Sequence, residues 1–371
     1  MRTEIVTAVV ATGALLGTFA LAAPPARAAG EDILAAAKAN VAEQTGPQTT
    51  WDGPTESPKP MPGKRIAYLS TDEQNDASRE WGQAIKEAGE KVGWEVTILD
   101  GRGSPKTWIE AYNQAIALKV DGVVTTADIA SLQEPVKAGA AQGIVLVGIH
   151  GWAFPGENKD LGVFYNIQQD PREIGKAQAD WVIAHSGGKA RAVVTTHCEY
   201  QIACTKATAT KERLEQCPDC EVLEFSNSPI AEVAQRQPAL VTAWVQKYGT
   251  PLYITSVADY TADYQVPALR AGGVAPEDVI LVSADGNRSA YERIRAGGQY
   301  QLVTASEPYK LQGYQAVDEL NRAFHGQPPS GWVQKPYLVT PENVDAEGGD
   351  RNTFIPSNGY EERYLELWGV K

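Results

Sequence analysis

The chain has 371 residues, 43% of them hydrophobic, and a formal charge of -13 at pH 7. That acidity excludes general attraction to nucleic acid or anionic membrane, because both need clustered Lys and Arg. The length allows one large or two medium domains, with ample material for their cores.

The N-terminus reads as an export signal. Arg2 precedes an apolar run over residues 6–23, and Ala26, Arg27 and Ala28 have the small-x-small form of a signal-peptidase site. Residues 1–28 are therefore expected to be cleaved after Ala28, leaving a periplasmic protein. The run is short and rich in alanine, which argues against a retained membrane span. Residues 29–63 predict a short helix, "EDILAAAKANVAEQ", and a proline-rich connector lying over a domain surface. Prolines at this density fit neither a helix interior nor a central strand.

A regular alternation follows. Aliphatic and β-branched runs at 65–69, 95–100, 121–126, 143–149 and 162–167 predict buried parallel strands. Trp81, Ala84, Ile85, Ala88 and Val92 fall on one helical face between two of them, as do Trp108, Tyr112, Ala115, Ile116 and Val120. A second series of strands lies at 190–196, 221–225, 251–255, 278–285 and 300–305. Its helices are expected near 170–186, 205–216, 231–247, 262–272, 287–297 and 308–325. The pattern predicts an α/β chain with two parallel-sheet units of about five strands each.

In open parallel sheets, ligands bind beyond the carboxyl ends of the strands. The loops there carry Asp72, Gln74, Asn75, Asp128, His150, Asp285 and Glu307, interleaved with Trp152, Phe154, Tyr200 and Tyr260. Carboxylates and amides fork onto adjacent hydroxyls, and aromatic rings pack on C–H faces. A binding site for a polyhydroxylated small molecule is the reading they favour. No serine elbow, phosphate-binding glycine motif or HExxH accompanies His150 and His197, so neither a catalytic set nor a cofactor is expected.

The order "KRIAYLST", "VDGVVTTADIAS", "YNIQQDPREIGKAQADWVI", "DVILVSADGNRSAYERIRAGG" and "LVTASEPYKLQGYQAVDEL" resembles the type I periplasmic sugar-binding proteins of ABC transporters over residues 64–328. The resemblance implies two doubly wound parallel-sheet lobes joined by a three-crossover hinge. Residues 64–166 with 307–328 would form the first lobe, and 167–306 with 329–371 the second lobe and tail. It also implies a monomer that delivers a small molecule to an inner-membrane permease, with a sensor role or a non-sugar ligand as alternatives.

Matched position by position, the resemblance nominates Asp285 as the main ligand-binding aspartate. Ser70, Thr71 and Asn75 match the first-strand loop, Asp128 the third, and His150 the fourth, with Trp152 beyond it. Lys206 or Thr205 falls near the sixth-strand loop, Asp259 to Asp263 cover an asparagine-aspartate site, and Ser306 or neighbouring Glu307 falls at a glutamine, while Tyr200 and Tyr260 add the flat faces of the strand-end loops. The chain departs from the family pattern at His150 with Gly151 and at "SVADYTADY", which leaves sugar, polyol, alcohol and aromatic ligands open.

All four cysteines lie in one stretch. Export favours disulfides. A zinc site would need unusual spacings. Pairing Cys198 with Cys204 and Cys217 with Cys220 keeps each link local, whereas crossed pairs would join helix ends about 18 Å apart.

Overall fold

The computed structural model describes residues 26–370. The signal segment expected over residues 1–28 lies outside these, save for its last three positions. The chain opens with α1 (Ala26–Thr45). The first lobe then alternates β1 (Arg65–Ser70), α2 (Asp76–Lys91), β2 (Glu95–Asp100), α3 (Pro105–Ala117), β3 (Gly122–Thr125), α4 (Gln133–Ala140), β4 (Val145–Ile149), β5 (Gly156–Asn158) and β6 (Val163–Ile167). The second lobe follows with α5 (Pro171–His185), β7 (Arg191–Thr196), α6 (Gln201–Glu215), β8 (Glu221–Asn227), α7 (Val233–Tyr248), β9 (Leu252–Thr255), α8 (Tyr260–Ala271), β10 (Val279–Asp285), α9 (Arg288–Ala296) and β11 (Gln301–Ser306). Finally α10 (Tyr309–Phe324) returns to the first lobe, β12 (Tyr337–Val339) joins the second sheet, and α11 (Tyr360–Trp368) ends the fold.

Two six-stranded sheets result, ordered β2-β1-β3-β4-β6-β5 and β12-β11-β10-β9-β7-β8. Pairing is parallel except at β5 with β6 and β11 with β12. Both orders reverse direction beside the first strand of the lobe, so each sheet opens a crevice at its carboxyl edge. The strands read as unbroken aliphatic runs because helices cover both faces: all but the first residue of β1 is buried.

Packing follows the helical stripes. Asn75 caps α2 through its side chain, which accepts from the Ser78 N–H at 3.1 Å. That helix buries Trp81, Ala84, Ile85 and Ala88. Gly313 of α10 lets the two helices touch, since a Cβ there would stand 2.4 Å from that of Ala84. Each large apolar side chain so buried contributes about 1.5–3 kcal/mol.

The ends of the chain cross between lobes. Helix α1 lies on α5 of the second lobe, with Asn40 donating to Asp180 at 2.8 Å. The proline-rich connector then runs over the first lobe, where Trp51 packs on Trp332 and Tyr364 at 5.1 and 5.3 Å. The tail, expected as a whole with the second lobe, divides instead. Its Phe354 stacks on Tyr337 in that lobe, but α11 buries Tyr360, Tyr364 and Trp368 in the core of the first. Those aromatics repeat every four residues and form one stripe against α10, and the Trp368 indole donates to buried Asp318 at 2.9 Å.

Both disulfides are the local ones, Cys198 with Cys204 and Cys217 with Cys220. Helix α6 begins at Gln201 rather than near 205, so the first bridge ties the loop after β7 to the first turn of that helix.

Candidate functional site

The carboxyl edges of the two sheets face each other across a cleft. On the first-lobe side, the Thr71 hydroxyl donates to the Thr126 carbonyl at 2.6 Å, and the Thr126 hydroxyl accepts from the Thr71 N–H at 2.8 Å. That lock sets the loop leading to Asp72 and Asn75. His150 follows β4 in a left-handed conformation, φ 54°, with its ring 5.2 Å from that of Trp81.

The second-lobe side is built around a strained turn. Asp285 has φ 95°, a region that side chains rarely adopt, and Gly286 follows at 77°. A Cβ on Gly286 would sit 1.9 Å from the Ser306 hydroxyl oxygen, so only glycine fits. Asp259, fully buried, holds the turn by accepting from the N–H groups of Gly286 and Asn287 at 2.7 and 2.8 Å. Its carboxylate also takes hydrogen bonds from Ser283, Thr304 and Gln301. Burial, then the charge of Asp285, pushes the Asp259 carboxyl up to about 6. Backbone strain maintained by a dedicated buried carboxylate marks a position whose direction matters.

One ion pair and one histidine–carboxylate contact meet at this turn. Lys206, buried on α6, donates to Asp285 at 3.3 Å and to the Val257 carbonyl at 3.0 Å. Glu307, buried at the crossover, faces His150 with Oε1 3.4 Å from Nε2 and accepts from Gln312 at 2.7 Å. Burial alone would raise the Glu307 carboxyl. His150, then Lys206 and the Gln312 amide, outweigh it and leave that carboxyl below its ordinary value. The Tyr260 hydroxyl is enclosed and has no hydrogen-bond partner among the described residues.

The cleft has two connected chambers. One, of about 410 Å3, is lined by Thr71, Asp72, Asn75, Trp81, Asn287 and Tyr309 among others. The second, of about 190 Å3, is lined by His197, Tyr200, Ile202, Ile230, Val257 and Ala258. His150, Tyr260 and Asp285 border both.

Residues 66–328 match the periplasmic binding protein domain family. The chain belongs to that family. It is a family of transport binding proteins, and the two-lobed parallel-sheet fold is that of its type I members. A Rhodobacter sphaeroides ABC sugar transporter subunit is similar at 21% identity, covering 76% of this chain and 99% of its own, with a TM-score of 0.65. A Bacillus halodurans ABC transporter solute-binding protein with bound myo-inositol is similar at 19%, covering 78% and 99%, at 0.65. One from Mycobacterium smegmatis with bound glycerol is similar at 16%, covering 76% and 96%, at 0.65. A search of curated proteins gave no match.

Within this periplasmic binding protein, Thr71, Asn75, His150, Tyr200, Lys206, Tyr260, Asp285 and Glu307 line the cleft together. Five nominated residues do not line either chamber. Ser70 and Ser306 end their strands buried, the first 3.5 Å from the Leu99 carbonyl and the second 3.1 Å from the Tyr291 hydroxyl. Strand alternation sends Thr71, not Ser70, to the cleft. Asp263 lies one helical turn past Asp259 and pairs with Arg293. Trp152 is held through its carbonyl by Asn166 at 3.1 Å. Asp128 caps a short turn, accepting from Ser131 at 2.7 Å, and stands close enough to Tyr200 to help raise its phenol, after burial and Glu199.

Other lining residues escaped the sequence reading. Trp81 sits on the apolar face of α2 and reads as core, yet its indole, donating to Gln312 at 2.7 Å, forms a wall of the cleft. Tyr309, Asn287 and Thr126 carry no sequence signal beyond their nearness to strand ends.

Proposed function

We propose that this protein is the periplasmic solute-binding component of an ABC importer, capturing a neutral polyhydroxylated molecule between its lobes. The observation that carries the reading is the turn at Asp285. A carboxylate is held in a strained conformation, balanced by buried Lys206, and opposed across the cleft by Asn75, Thr71 and His150. Carboxylate and ammonium together accept from and donate to vicinal hydroxyls, while Trp81 and Tyr260 offer flat faces to ring C–H groups. The Tyr260 hydroxyl gains a partner when such a ligand enters.

Closure is a population shift. Ligand held on the second lobe gains contacts from the first only in the closed form, so binding favours closure. The closed monomer then presents both lobes to a membrane permease. A thermal-shift screen of the mature chain against sugars, polyols, simple alcohols and aromatic acids tests this, because ligands that bind the native state raise its melting temperature. Sugars or polyols are expected to stabilise. Stabilisation by aromatic acids alone would reject the reading.

A further inference from the structure

The second chamber has a different character from the first. Its walls are mostly apolar, formed by Ile202, Ala203, Ile230, Val257 and Ala258, with Lys206, His150 and Asp285 also lining it, and the stacked rings of His197 and Tyr260, 5.6 Å apart and 18° from parallel, close one side. Among the described residues only a few large hydrophobic side chains are exposed, and Tyr200 and Ile230, at 42% each, stand at this mouth. A plain sugar in the first chamber leaves these groups uncovered.

The mouth is also held firmly. His197 Nδ1 donates to the Ser228 carbonyl at 2.6 Å, the Cys198 N–H to Asn227 at 2.9 Å, and the Ile230 N–H to the Glu199 carboxylate. With the Cys198–Cys204 bridge, these contacts fasten the loop after β7 to the loop after β8. An apolar pocket that stays open needs such support, since a flexible lip would collapse onto it. Its 190 Å3 exceeds the ~150 Å3 cavity that accepts benzene in another protein.

We infer that the ligand is a polyhydroxylated ring bearing an uncharged aromatic substituent, an aryl glycoside in chemical class, whose substituent fills this chamber. The inference rests on the proposed function. An anionic aromatic group is disfavoured, because Lys206 is already paired with Asp285, and Glu199 and Glu307 add negative charge nearby.

Calorimetric titration of the mature chain with D-glucose, D-galactose, D-xylose and L-arabinose, and with their methyl, phenyl and 4-carboxyphenyl glycosides, tests it. For a sugar that binds, the phenyl glycoside is expected to bind about tenfold or more tighter than the methyl one, and the 4-carboxyphenyl glycoside more weakly than the phenyl. Ile230→Asp is expected to remove most of that phenyl advantage and Ile230→Leu to keep it, with thermal melts verifying that both fold. A free sugar or methyl glycoside that binds while its phenyl glycoside gains nothing overturns the inference and leaves the proposed function standing. If no sugar or glycoside in the panel binds, the inference falls, and the proposed function falls with it only where the thermal-shift screen finds no stabilising sugar or polyol either.

Discussion

The two walls of the cleft are built on different principles. The first-lobe wall sets Thr71, Asn75 and Thr126, which double as a loop lock and a helix cap, beside Asp72, Trp81 and His150. The second-lobe wall carries an ion pair, a strained turn and a buried carboxylate that holds that turn and ties it to the strands beneath. Under the proposed function, the difference implies that the rigid second-lobe wall, with its ion pair, holds ligand before closure and that the first-lobe wall latches it.

The sharpest break is Asp285→Ala. It removes the charged acceptor and leaves the Val257 carbonyl as the one hydrogen-bond partner of the buried Lys206 ammonium among the described residues. Affinity for any ligand found by the screen is expected to fall more than about a hundredfold, on the order of 3 kcal/mol. Unchanged affinity in calorimetry would sink the assignment of Asp285. Asn75→Ala, on the opposite wall, is expected to cost about tenfold, and about 1 kcal/mol of stability from the lost cap. Asn75→Ser should restore the stability without the affinity. A larger affinity loss at Asn75 than at Asp285 would reverse the asymmetry.

The walls also differ in what titrates behind them. Asp259, beneath the second-lobe turn, is raised to about 6 by burial and by Asp285. Glu319, on α10 of the first lobe, is raised to about 7 by burial, with Asp318 adding to it. Both stay protonated in the fold at pH values where the unfolded chain has already ionised. Their contribution is therefore full below about pH 4 and is lost as pH rises through 6 and 7. Thermal melts between pH 5 and 8 are expected to show a downward trend from this source, flatter in Glu319→Gln. A slope unchanged by that substitution would contradict the assignment.

Much of this was legible in the sequence, for identifiable reasons. Parallel strands covered on both faces leave long aliphatic runs such as "RIAYL", and the strand-end rule located the loops that meet in the cleft. What failed to show was orientation. Asp259 and Asp263 are four residues apart and chemically alike, but one turns under the Asp285 loop and the other outward to Arg293. Ser70 and Thr71 are neighbours separated only by strand parity. Trp81 belongs to both the core and the cleft, which no periodicity can announce. The three-residue strands β5 and β12 are too short to show any alternation. The tail was assigned to one lobe because chain order implies it, whereas the aromatic stripe of α11 found its apolar partner on the other.

The smallest expected effect concerns the firmness of the second-lobe lip. The Cys198–Cys204 bridge closes a loop of sequence separation 6 and adds to three hydrogen bonds that already join the loops after β7 and β8. Replacing both cysteines by serine removes about 2 kcal/mol on the chain-entropy account, yet the hydrogen bonds remain. Affinity for the preferred ligand is then expected to drop only a few-fold, through faster dissociation as Tyr200 gains freedom. Reduction of the wild-type chain should reproduce that change, while the Cys217–Cys220 pair, at the far end of α6, should leave affinity untouched when replaced. Equal losses at the two bridges would mean that the lip gains nothing from its own disulfide and that overall stability alone sets the effect.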